Sequence, residues 1–224
     1  VNTLVVGDLH GKIAIAETVL NLADDNKIIF IGDYLDSWEE NVNDQIKLLD
    51  LVLDACETKP QRVFALLGNH ELSYLQPRYR CSGWKQSTQY AVDERAERMQ
   101  KLLVPVVQHE AGWLLTHAGV SKQWANQFGW PPEEAVQKCS EDKLFQIGRA
   151  RGGKANYGGP LWCDYYNEFL PIPGLKQIFG HTPTTESVPG IRTEDGENYC
   201  IDCLDRVPEI LRIKESGEVD FITI

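Results

Sequence analysis

Five places in this chain set ligand-type side chains just past a short apolar run. Asp8 and His10 follow "TLVV", Asp33 follows "KIIFI", Asn69 and His70 follow "RVFALL", His117 follows "GWLL", and His181 follows "KQIF". Taken alone, "GDLHG" reads as a polar turn, because Gly and Asp are ordinary turn residues. Its other reading is a pair of metal ligands, with two side chains brought together as the backbone leaves a strand. Of the five histidines in the chain, four occupy such positions, and the fifth, His109 in "VVQHE", reads as structural. A core role absorbs any one of these residues, but not four His, two Asp and an Asn at one topological place.

The chemistry implied is a two-metal site. Carboxylate and amide oxygens mixed with imidazoles suit Mn, Fe or Zn better than Ca. Two cations about 3.5–4 Å apart share a carboxylate and a hydroxide. The hydroxide is then the nucleophile, since metal binding lowers the pKa of water far below its bulk value. The metals neutralise charge on a phosphoryl oxygen under attack, and a nearby His supplies the proton that the leaving alkoxide needs.

The elements that must position these residues alternate. Strands are expected at 3–6, 27–31 and 62–67, and helices at 13–24 and 42–56. The second helix carries an apolar stripe of Val42, Ile46, Leu49, Leu53 and Cys56. This alternation predicts an α/β fold with a parallel first half. In such sheets, sites form beyond the carboxyl ends of the strands. A helix is expected at 91–103, strands at 112–119 and 176–182, and helical then basic sequence at 121–154. From residue 198 the short strands joined by "ESGE" read as an antiparallel meander. There is no internal repeat and no clear linker, so residues 1–224 are read as one domain.

Composition narrows the classes. The 33 acidic residues outnumber 22 basic ones, for a net charge of −11. Such a chain is a poor non-specific binder of nucleic acid or anionic membrane, and it suits a protein that holds cations. No apolar run approaches the roughly 18 residues of a membrane span. No secretory hydrophobic region follows the N-terminus, so a cytoplasmic location is expected. The six cysteines are scattered and read as reduced thiols. Among them are Cys200 and Cys203, whose C-x-x-C lacks a second half to complete a zinc site.

"GDLHG", "GDYLD", "GNHE", "THAG" and "FGHTP" together resemble the successive motifs of the calcineurin-like metallophosphoesterases. Order and spacing are closest to the bacterial and phage phosphoprotein-phosphatase type, and "NYCIDC" resembles the strand that follows the last His there. The resemblance implies a β-sandwich of mixed sheets flanked by helices, with the metal site at the C-terminal ends of strands. By the same resemblance Asp8, His10 and Asp33 hold a first divalent metal. Asp33 bridges to a second, completed by Asn69, His117 and His181. His70 is the general acid and Asp36 the carboxylate that orients it, whereas Glu71 and Thr182 read as groups that support or cap the ligand loops rather than as ligands. Manganese is the expected metal, with iron or zinc as alternatives. The expected substrate is a phosphoprotein or small phosphoester, and the expected activity is a phosphomonoesterase of the protein Ser/Thr phosphatase type. A phosphodiesterase or dinucleotide polyphosphate hydrolase is the alternative, and a non-catalytic scaffold is disfavoured because every ligand residue and the acid His are kept.

Two positions depart from the family. Arginines that usually end the second motif and precede "GNHE" are replaced by Ser37 and Leu67. Neither clamps a phosphate bidentately as an arginine does. Arg149 and Arg151, in the glycine-flanked "GRARGGK", are the expected substitutes, with Arg78 and Arg80 as further candidates.

Overall fold

In the computed structural model, the described residues are 1–184, 192–193 and 196–224. They group into two compact units, Val1–Val104 with Pro208–Ile224, and Pro105–Val207.

The first unit begins as the alternation predicts. Strand β1 (Thr3–Val6), helix α1 (Ile13–Leu20), β2 (Lys27–Phe30), α2 (Val42–Thr58), β3 (Val63–Leu66) and α3 (Asn69–Leu75) succeed one another. Helices α4 (Gln86–Asp93) and α5 (Ala96–Leu102) then lead into β4 (Leu103–Val104). The second unit holds β5 (Val107–Gln108), β6 (Trp113–Leu115), α6 (Lys122–Phe128), α7 (Pro132–Lys138), α8 (Glu141–Leu144), β7 (Lys176–Phe179), β8 (Arg192–Thr193) and β9 (Gly196–Cys200). Strands β10 (Glu209–Ile213) and β11 (Val219–Thr223) return to the first unit.

Each unit carries one mixed sheet. The first has the order β11-β10-β1-β2-β3-β4, in which β1 to β4 run parallel and β10 and β11 antiparallel. The second has the order β5-β6-β7-β9-β8, with β6, β7 and β9 parallel. Parallel strands bury both faces and so read as unbroken apolar runs. Accordingly all four residues of β1 are buried, as are Ile28, Ile29 and Phe30 of β2. Helix α2 starts where the Asn41 side chain accepts a hydrogen bond from the Asp44 amide, and it buries Ile46, Leu49, Leu53 and Cys56. Among the described residues no helix is long and apolar enough to cross a membrane.

Three sequence expectations change. The helix expected over 91–103 is two helices, broken at Glu94 and Arg95. There the Arg95 guanidinium turns to grip both Asp50 oxygens, at 2.6 and 2.7 Å. The segment 121–154 is three short α-helices and a 3-10 turn at Arg149–Arg151, interrupted where Gly129 takes φ 139° and Pro131 follows. The tail is not one meander: β9 pairs parallel with β7 in the second sheet, and only β10 and β11 form an antiparallel hairpin.

Phe30 lies fully buried on a strand with neighbours on both sides. Phe30→Ala should cost about 3–5 kcal/mol, read as a lower denaturant midpoint. Lys47→Ala, which removes an exposed pair with Asp44, should leave the midpoint nearly unchanged. Comparable losses in the two variants would show that this sheet is not the stabilising core.

Candidate metal centre

In the first unit the ligand-type residues occupy the three loops that leave β1, β2 and β3. These strands are parallel, so their carboxyl ends share one edge of the sheet. The loops are bonded to each other through the backbone. The Asp33 carbonyl accepts from the Leu9 and His10 amides at 3.1 and 2.8 Å, and the Gly11 amide donates to Tyr34 at 3.0 Å. The β3 loop closes on the β2 loop at Gly68, where a Cβ would stand 2.3 Å from Asp33 Oδ1 and 2.5 Å from Glu71 Oε2. Only glycine permits that approach.

Glu71 is fully buried and holds the β2 loop in shape. Its carboxylate accepts from the amides of Asp33 at 2.9 Å, Tyr34 at 2.9 Å and Leu35 at 3.2 Å. Burial, with the Asp33 charge beside it, pushes the Glu71 carboxyl up to about 8 against the pull of those amides. Two carboxylates so close and so dry are a poor arrangement until a cation joins them.

His10 Nδ1 lies 2.8 Å from the Leu35 carbonyl. A carbonyl only accepts, so Nδ1 carries the proton and Nε2 keeps its lone pair. Nε2 stands 3.7 Å from Asp33 Oδ2. Burial lowers the His10 pKa, although Asp33 resists this, and a neutral ring is the form that binds metal. His70 Nε2 is 3.9 Å from the same Asp33 oxygen. The ligand atoms of His10, Asp33 and His70 lie within 4.8 Å of one another. Asp8 and Asn69 are buried in the same loops. The donors are the Asp33 carboxylate and the His10 imidazole, which a carbonyl orients as metal-ligating histidines usually are oriented. The residues fit a divalent cation.

His70 Nδ1 is 2.7 Å from Asp36 Oδ2, and the Tyr74 hydroxyl donates to Asp36 Oδ1. Burial works against the His70 imidazolium, but the Asp33 charge and the Asp36 hydrogen bond outweigh it. The ring is held well above the usual histidine range. With Nδ1 committed to Asp36, the proton available for transfer is on Nε2. Cys81 Sγ lies 3.6 Å from His70 Nδ1.

In the second unit His117 follows β6 and His181 follows β7, parallel neighbours in one sheet. Their rings meet with His117 Nε2 3.3 Å from His181 Nδ1, and both are buried. The Trp162 ring stands edge-on to His181 at 5.1 Å. Arg151 pairs with Asp164 at 2.8 Å and donates to Thr182 Oγ1 at 3.0 Å, beside the His181 carbonyl. Arg149 is exposed. Arg78 and Arg80 lie over Tyr79 and Trp84 in the first unit.

Backbone geometry singles out the same residues. Among the described residues the non-glycine positions with positive φ are His10 at 40°, Asp33 at 53°, Asp36 at 61° and His181 at 67°. L-residues in this region are strained, and such strain gathers at functional sites.

Glu71 accepts from the β2-loop amides and Thr182 Oγ1 from the Tyr165 amide. His109 is structural, its Nδ1 accepting from the Ala111 amide in the β5–β6 turn. Tyr74, Asp164 and Glu168 were not foreseen. Glu168 is buried and accepts from the amides of Ala150 and Gly158, each at 2.8 Å, which shapes the arginine loop. A lone Glu in "YYNEF" carries no signal for that job.

A fold of two mixed sheets flanked by helices, with imidazoles and carboxylates gathered at strand ends, is that of a metal-dependent phosphoester hydrolase. The chain matches the family model for calcineurin-like phosphoesterases over residues 1–185 and belongs to that family. Among solved structures it is similar to a protein serine/threonine phosphatase from Saccharomyces cerevisiae with similarity to human phosphatase PP5. The TM-score is 0.63 at 12% identity, covering 100% of this chain and 80% of that one. It is also similar to a cold-active protein-tyrosine phosphatase of a psychrophilic Shewanella species, at TM-score 0.62 and 14% identity, covering 99% and 80%. No curated protein sequence matches it.

Glu71→Gln should separate the loop-holding role from metal ligation. The amide would turn a donor toward backbone donors, leaving at least one buried amide unpaired at about 1–3 kcal/mol. The expected result is a lower melting temperature together with weaker Mn binding by calorimetry. Normal stability with lost metal would make Glu71 a ligand instead.

Proposed function

We propose that this chain is a phosphomonoesterase of the protein Ser/Thr phosphatase-like kind, in which His70 gives the leaving alcohol its proton. The observation that carries this is the buried Asp36–His70 pair, with Nδ1 held at 2.7 Å and Nε2 turned toward Asp33. An alkoxide such as that of Ser or Thr leaves poorly without a proton, and a charged imidazole beside a carboxylate is built to supply one.

The proposed protein ligands of two divalent cations are Asp8, His10, Asp33 and Asn69 of the first unit and His117 and His181 of the second. Manganese is the first choice, with iron or zinc as alternatives. When bound, the cations supply Lewis-acid charge and a water that is nucleophilic at neutral pH. The chain's own residues do the rest. His10 presents Nε2 because Leu35 holds Nδ1. Asp36 keeps His70 charged, and Tyr74 keeps Asp36 in place. As the ester P–O bond breaks, the His70 Nε2 proton passes to the leaving oxygen. Arg149 and Arg151 are the proposed phosphate contacts, Arg149 being the freer because Arg151 is already tied to Asp164. The expected substrates are phosphoproteins or small phosphoesters. A phosphodiester or dinucleotide polyphosphate is the second reading, supported by Ser37, whose hydroxyl is taken up by the Glu39 and Glu40 amides and offers no clamp.

His70→Ala should leave metal content nearly unaltered. It should lower kcat on an alkyl phosphate by about 10²–10⁴-fold and on nitrophenyl phosphate far less, since nitrophenolate leaves unprotonated. Equal losses on both would move His70 to another step. Asp36→Asn should give a weaker version of the same split.

Elemental analysis after loading with Mn should find two ions per chain, and Asp33→Asn should reduce both. A chelator should abolish hydrolysis, and Mn should restore it. Full activity in metal-free protein would end this proposal. Replacing Arg149 and Arg151 together by Ala should raise KM for an aryl phosphate with metal content unchanged.

A further inference from the structure

We propose that Asp36, His70 and Cys81 form a separate inhibitory site for zinc, one that silences the proton donor while the catalytic cations stay in place. The inhibitory part rests on the reading of His70 as proton donor, and the binding part does not.

The three side chains offer a carboxylate, an imidazole and a thiol with ligand atoms within 4.8 Å of one another. In tetrahedral zinc sites the Zn–S and Zn–N bonds place neighbouring sulfur and nitrogen about 3.5 Å apart. Cys81 Sγ and His70 Nδ1 already stand 3.6 Å apart. Asp36 Oδ2, now 2.7 Å from the same nitrogen, needs to withdraw by about 0.6–0.7 Å to reach a tetrahedral edge. Three protein ligands leave a fourth position for water.

The loop that brings Cys81 is held in place rather than draped. Gly83 has φ 91°, and a Cβ there would meet Asp36 Cβ at 2.9 Å, so the loop closes on Asp36 because this residue is glycine. The Lys85 amide donates to the Tyr74 hydroxyl at 3.0 Å, Trp84 stacks on the Tyr74 ring, and Arg80 lies 3.8 Å over Trp84. Tyr74 thus fixes both the carboxylate and the thiol-bearing loop, the kind of outer support that metal ligands receive. Cys81 is half-buried, the His70 side chain is 14% exposed and Asp36 is buried, so the thiol is the side of the cluster nearest solvent.

A thiolate beside an imidazole selects zinc over manganese or magnesium. Binding releases the Cys81 thiol proton and the His70 Nδ1 proton. His70 keeps its Nε2 proton, but giving that up would now leave an imidazolate, so the ring no longer serves as an acid. Asp36 is drawn from the imidazole to the metal at the same time.

The test uses the full chain loaded with Mn and titrated with Co²⁺ as the spectroscopic probe. Wild type should develop a thiolate-to-cobalt charge-transfer absorption with one equivalent beyond the Mn content. Cys81→Ser and Cys81→Ala should lack it, and Cys139→Ser, which changes the other half-buried cysteine, should keep it. Circular dichroism melts check that each variant is folded. With Zn²⁺ as titrant, hydrolysis of an alkyl phosphate by wild type should be inhibited at concentrations at least tenfold below those needed for either Cys81 variant. A charge-transfer band that is absent from wild type, or that persists in both Cys81 variants, overturns the site. A band lost with Cys81, but with aryl and alkyl phosphates inhibited alike, upholds the zinc site and counts against His70 as the acid.

Discussion

Asp33 is the residue on which the first unit's loops converge, and each of its polar groups is engaged. Its amide donates to Glu71, its carbonyl takes the Leu9 and His10 amides, and Oδ1 takes the His70 amide. Oδ2 then faces the imidazoles of His10 and His70. The backbone must turn through φ 53° to do all this at once. That conformation is costly for an aspartate, and it persists because four hydrogen bonds from two neighbouring loops over-determine it. If the Asp33 turn relaxed, the β1 and β3 loops would lose their common anchor and the imidazoles their fixed distance.

The same anchoring creates an electrostatic problem. Asp8, Asp33, Asp36 and Glu71 are all buried within these loops. Burying a carboxylate costs free energy unless donors or cations answer its charge. The structure answers them unequally. Glu71 has three amides, and Asp36 has a tyrosine hydroxyl and an imidazolium. Asp33 Oδ2 faces the His10 and His70 imidazoles at 3.7 and 3.9 Å, beyond hydrogen-bond distance. His10 is pushed toward neutrality while His70 is pushed toward charge, although both face one oxygen. The difference lies in the far nitrogen: a carbonyl holds that of His10, and a carboxylate that of His70. One ring is thereby suited to bind a cation and the other to carry a proton.

Much of this was legible in the sequence, for a physical reason. Apolar runs of four or five residues ending at Gly-Asp, Gly-Asn or His announce strands that stop at a polar edge, and five such stops in order leave little freedom. Asp8, His10, Asp33, Asn69 and His70 therefore fell where expected beyond β1, β2 and β3. Long-range pairing was not legible. Nothing in "NYCIDC" tells whether it joins β7 or the hairpin that follows, since both pairings bury the same alternating residues. The break at Glu94 and Arg95 was equally hidden, because it depends on Asp50, 45 residues away. Tyr74 and Glu168 were missed for the same cause. Their partners are loop amides and a carboxylate brought close only by the fold.

The two lost arginines fit this picture of loops held by their own backbone. Ser37 Oγ accepts from the Glu39 and Glu40 amides at 3.1 and 2.9 Å, closing the turn just after Asp36. A guanidinium has no acceptor and could not do that. Glu40 in turn packs where a Cβ on Gly11 would stand, 2.8 Å away, so the closed turn covers the β1 loop as well. Leu67 extends the ladder from β3, its amide donating to Val104 at 2.8 Å. Neither position bonds to Asp33, Glu71 or His10. The loops that gather the carboxylates and imidazoles are thus independent of positions 37 and 67, and a chain could carry a tighter turn there without disturbing them.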